Sequence, residues 1–97
     1  MPASVSDIPT TDASRLIKRL CTHWAHKFEV TFDAEHGRVP FDGSTVALLD
    51  ADPSTLHARV EAADADQLAR IEAVVAEHLQ RMHRGEPLVI AWRPVDA

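Results

Sequence analysis

The stretch "LCTHWAHKF", Leu20 to Phe28, places one thiol, two imidazoles and an indole within nine residues. Cysteine and histidine are metal ligands and nucleophile or base candidates, and tryptophan is an aromatic platform. If the segment is helical, successive residues turn by about 100°, so Cys21 and His23 lie roughly 160° apart and cannot share an ion. His23 and His26 differ by three positions, about 60° on the helix surface, and can share a ligand. They are the metal-ligand candidates, and His23, Trp24, His26 and Lys27 are the ligand-binding candidates. Two imidazoles fall short of the four ligands of structural zinc or the three of catalytic zinc. A second reading stays open: Cys21 and Trp24 as core anchors, His26 and Lys27 as donors to the last helical carbonyls.

Other chemistry is sparse. Cys21 is the one cysteine, so no internal disulfide can form. Ser14, Ser44 and Ser54 lack a nucleophile elbow, and three isolated glycines cannot build a phosphate loop. His36 reads as solvated in a turn, His57 as outward on a strand, His78 as semi-buried and hydrogen-bonded, and His83 as a helix cap. Asp42, Asp50, Asp52 and Asp64 fall at turns and strand ends, and would form a crowded acidic edge if those ends met.

The elements that must position these residues follow from periodicity. Met1 to Pro9 read as a flexible leader, and residues 10–97 as a single α+β domain. Thr10 or Thr11 supplies an N-cap, and Ala13, Leu16, Ile17, Leu20, Cys21 and Trp24 form one apolar helical stripe. "FEVTFD" alternates with period two. Gly37 is placed in a turn with positive φ, and Pro40 at an edge or bulge. "DG" at Asp42–Gly43 predicts a hairpin into "STVALLDA". "TLHARVEA" alternates with Leu56, Ala58 and Val60 inward. Asp64 and Gln67 resemble a capping box, opening a helix with Leu68, Ile71, Val75, Leu79 and Met82 on one face. Gly85 and Pro87 end it, and "LVIAWRPV" is the last strand. The expected order is α-β-β-β-β-α-β: a two-layer sandwich, with an antiparallel sheet of four to five strands against two helices.

Composition excludes some functions. With 10 Lys and Arg against 15 Asp and Glu, the net charge is −5 and the cations are scattered, so nucleic-acid binding is not expected. No apolar run approaches the roughly 20 residues that span a bilayer. The absence of a basic, apolar signal stretch leads to the expectation of a cytoplasmic protein.

"LCTHWAHKF", "EAADADQLARIEAVVAEHL" and "EPLVIAW", in this order, resemble the bacterial family called domain of unknown function 2218. That resemblance implies small proteins and domains joined to siderophore-interacting flavoprotein reductases. It thereby implies a role near iron, with iron or haem as the possible cofactor and such a reductase as a possible partner. His23, Trp24, His26 and Lys27 match the family motif. Thr22 departs from it, where a basic residue is common, and so does His83–Arg84–Gly85, where aromatic character is usual. Family members sometimes carry an aldolase label, but that enzyme class is a barrel of about 250 residues. The leading expectation is thus a binding domain rather than an enzyme, contacting iron, haem or an anionic siderophore group. The alternatives are an interaction module that docks a reductase or self-associates as a homodimer through an open sheet face, and a small enzyme.

Overall fold

A computed structural model describes residues 2–95; Met1 and the last two residues of the expected domain lie outside it. Two helices cover one face of a six-stranded antiparallel sheet. The elements run β1 (Ala3–Pro9), α1 (Ala13–Trp24), β2 (Thr31–Phe32), β3 (His36–Asp42), β4 (Thr45–Ala51), β5 (Thr55–Glu61), α2 (Ala65–Met82) and β6 (Arg93–Val95). Their order in the sheet is β2-β3-β4-β5-β1-β6. The α+β class and two layers are as expected, and the sheet has more strands than the sequence suggested.

The extra strand corrects the expected leader. Ala3–Pro9 lies between β5 and β6, with Ser4, Ser6 and Ile8 opposite Val60, Ala58 and Leu56. All six of those side chains are buried. Serines at two inward positions broke the apolar alternation by which a strand is recognised. The first cap differs too: Asp12 is the N-cap of α1 and makes no side-chain cap bond, while the Thr10 hydroxyl accepts from the Asp12 N–H at 3.0 Å.

The helices follow their apolar stripes. Every predicted stripe residue of α1, from Ala13 to Trp24, is buried, and α2 buries Ile71, Val75 and Leu79. Helix α1 lies over β3 and β4, α2 over β4 and β5, and the helices touch each other. The Asp64 carboxylate accepts from the Gln67 N–H at 2.8 Å, the first half of the expected capping box. Among the described residues no helix is long and apolar enough to cross a membrane.

Three local departures have physical causes. Gly37 is not in a turn; it sits in β3 opposite Phe32 and Leu49. A methyl there would stand 2.8 Å from Cys21 Sγ and 3.2 Å from Ile17 Cγ2, so its missing side chain lets α1 press onto the sheet. "FEVTFD" forms a ladder only at Thr31 and Phe32, because Phe28 and Val30 turn to pack on the core instead. The last strand is only Arg93–Val95. Upstream of it, the Gln80 amide takes both backbone groups of Leu88: Nε2 donates to its carbonyl at 2.7 Å, and Oε1 accepts from its N–H at 2.9 Å. That side chain replaces a ladder partner.

Candidate functional site

The geometry starts at the C-terminus of α1. The helix stops at Trp24 rather than running through His26, and the N–H groups of Lys27 and Phe28 both donate to the Trp24 carbonyl at 2.9 Å. His23 is therefore on the last helical turn, and His26 and Lys27 are on the turn that follows. Their side chains are exposed, while Trp24 is 4% exposed.

The β3–β4 hairpin supplies the opposite wall. Pro40 pairs with Val46 and Asp42 with Thr45, so Phe41 is the extra residue of a bulge. The bulge that Pro40 foretold delivers Phe41 edge-on to both Trp24 and Phe28, at centroid distances of 5.0 and 5.1 Å. Edge-to-face pairs of this kind contribute about 0.5–1.5 kcal/mol each beyond their buried area. Helix α2 brings His78, whose ring lies 4.9 Å from Trp24 and 5.4 Å from His23.

Together these elements enclose a groove of about 630 Å³, lined on one side by His23, Trp24, His26 and Lys27. All four predicted residues thus meet in one place. The groove also holds Phe28, Phe41, Asp42, Gln67 and His78, which sequence reasoning did not assign to it. Only the Pro40 bulge signal pointed toward Phe41. Asp42 carries negative charge at the rim, and its carboxyl is held below the usual range chiefly by the Ser44 N–H, which donates to it at 2.8 Å.

Among the described residues, no three His, Cys, Asp or Glu side chains stand close enough to hold a metal ion. His23 and His26 would need ligands from elsewhere. Cys21 is fully buried, and burial pushes its thiol up to about 11, so it is a packing residue and not a nucleophile.

Of the remaining histidines, His83 is the C-cap of α2, and His36 and His57 lie on the uncovered sheet face. His36, Asp50, His57 and Asp7 form one row across β3, β4, β5 and β1. His36 Nδ1 bonds the Asp50 carboxylate. His57 bonds Asp7 through Nδ1 at 2.8 Å and Asp52 through Nε2 at 2.7 Å. Arg93 adds a contact to Asp7 at 3.1 Å. The crowded acidic edge considered from the sequence does not form. Asp50 and Asp52 each meet a histidine, Asp42 closes its own turn with Ser44, and Asp64 caps α2.

The family described as "Uncharacterized protein conserved in bacteria (DUF2218)" matches residues 5–93. The NMR structure of PA4090 from Pseudomonas aeruginosa is 42% identical, with each chain fully covered and a TM-score of 0.84. No curated protein matches.

Proposed function

This chain belongs to the DUF2218 family of bacterial proteins, and we propose that it is a small binding domain whose groove takes a planar organic anion. One observation carries the reading: the exposed His23, His26 and Lys27 rim an aromatic wall of Trp24, Phe28 and Phe41. A ring can stack or pack edge-on against that wall while an acid group meets the Lys27 ammonium and the imidazole N–H groups of the rim. Any iron reaching this groove would arrive already held by an organic chelator, since the protein offers no three-ligand site among the described residues. A siderophore-linked role and a reductase partner in the cytoplasm belong to the same proposal.

The interaction-module reading calls for a large exposed apolar patch. The exposed large apolar side chains among the described residues are Phe32 at 42% and Val89 at 72%. Phe32 lies on one edge strand of the sheet, and Val89 just before the other. The open face between carries charged pairs instead. These observations favour the groove.

Benzoate is the simplest probe. Titrated against the full chain by NMR, it is expected to shift the groove residues saturably with a dissociation constant near 1 mM. That affinity, about −4 kcal/mol, is reasonable for a ligand of about nine heavy atoms. The double variant His23→Ala, Lys27→Ala should weaken it at least about fivefold. Parallel titrations with ferrous iron, zinc and haemin test the metal alternative at His23 and His26. An absence of saturable shifts up to about 10 mM benzoate would reject the proposal.

A further inference from the structure

His78 lines the groove, and its one hydrogen bond to the backbone constrains what can meet it there. His78 Nδ1 lies 2.8 Å from the Val74 carbonyl oxygen, one turn back on α2. A carbonyl can only accept, so Nδ1 must carry the hydrogen. In a neutral imidazole that leaves Nε2 with a lone pair and no hydrogen. The helix backbone thus fixes the tautomer, and packing against Trp24 and His23 fixes the ring plane. The groove is also lined by the aromatic and aliphatic Trp24, Phe41, Ile71 and Val74.

We infer that His78 is a specificity-determining residue and that the preferred ligand is an aromatic acid carrying a second polar group, a phenolic O–H or ring N–H, that donates to His78 Nε2. This inference rests on the groove reading above. The acid group and the donor sit on different edges of the ring: the first faces Lys27 and His23, the second faces α2. An acid with no donor would leave Nε2 desolvated and unpaired against the ligand, which disfavours it. Gln67 and Asp42 also line the groove. The Asp42 carboxylate accepts both Ser44 bonds on Oδ1, and the His78→Phe variant below separates its Oδ2 from His78 as partner for the same donor.

The test compares benzoate with 3-hydroxybenzoate and 4-hydroxybenzoate at pH 8, where phenols remain protonated. NMR titration of the full chain supplies the affinities, and amide dispersion confirms that each variant is folded. One hydroxybenzoate should bind about three- to tenfold more tightly than benzoate, the effect of one added hydrogen bond. His78→Phe, which keeps a ring on Trp24 and removes the acceptor, should abolish that preference while benzoate still binds. Equal affinity of all three acids for the parent chain overturns the inference and leaves the groove reading standing. A hydroxyl preference that persists in His78→Phe also overturns it, because the donor then points elsewhere. If no acid binds, the groove reading itself fails. The parent-chain comparison decides the matter even if the variant does not fold.

Discussion

His57 and Asp7 stand fifty residues apart in the chain and directly opposite each other in the sheet, joined by a 2.8 Å hydrogen bond. The second ring nitrogen of His57 meets Asp52, so both nitrogens face carboxylates and both are donors only in the imidazolium. The carboxylates raise the His57 pKa above 6.5, Asp7 contributing most and Asp52 next, against a small opposing effect of burial. Asp7 and Asp52 are lowered from 3.8, Asp7 chiefly by His57 and Asp52 chiefly by the Ser54 N–H.

The sign of the pH dependence follows. A raised histidine contributes stability that is full below the unfolded value of 6.5 and is lost as pH rises through the folded value. The lowered carboxylates contribute above 3.8 and lose that contribution as pH falls through their folded values. Thermal unfolding followed from pH 5.5 to 8.5 should show a decline at the upper end that is smaller in His57→Gln. A proton titration of the His57 ring should move down in Asp7→Asn. Identical pH profiles for parent and His57→Gln would contradict this account.

Gly37 and Cys21 should show strong coupling. Gly37→Ala forces a methyl to within 2.8 Å of Cys21 Sγ, and overpacking of this kind costs about 1–3 kcal/mol. Cys21→Ala removes the sulfur, so the double variant should recover part of the loss. Urea unfolding of the four proteins gives the coupling energy, and strict additivity would place the strain elsewhere.

Gln80→Ala should destabilise by about 1–2 kcal/mol, since it leaves a part-buried N–H and C=O of Leu88 without their partners. Amide exchange at Leu88 should accelerate more than exchange in β5. Unchanged protection there would show that another group replaces the glutamine.

Asp64→Ala removes the side-chain acceptor for the Gln67 N–H at the start of α2. Loss of such a cap costs about 0.5–2 kcal/mol. Asp64→Ser should restore most of it in a denaturant titration.

A chain lacking residues 1–9 should fail to fold. The deletion removes β1, leaves β6 without its partner and uncovers β5. Circular dichroism and amide dispersion of the shortened chain measure this directly, and a well-dispersed spectrum would return Ala3–Pro9 to the status of a dispensable leader.

What was legible in the sequence was whatever local pattern controls. The stripe of α1 and the alternation of β5 each specify their own geometry, and the Asp42–Gly43 signal marked the β3–β4 hairpin, whose two loop residues are Gly43 and Ser44. Strand β1 was not legible because Ser4 and Ser6 occupy inward positions, so its face is defined by Val60 and Ala58 across the ladder rather than by its own residues. The pairing of His57 with Asp7 was invisible for the same reason: it exists only once β1 has a register. At the groove, the cluster from His23 to Lys27 was legible as one helix end. His78 was visible as a hydrogen-bonded residue of α2. Its place beside Trp24 depends on how the two helices pack, which neither helix encodes alone.

The position of β1 also sets an order of events during synthesis. Ala3–Pro9 are made before both of their partners, Thr55–Glu61 and Arg93–Val95. The β3–β4–β5 meander can zip through short local turns, whereas β1 waits for β5, its principal partner, and gains β6 later still. Such distant closure slows folding relative to local pairing. A nascent chain therefore exposes Ile8 until Thr55–Glu61 has been made, and that interval is when a chaperone has most to bind.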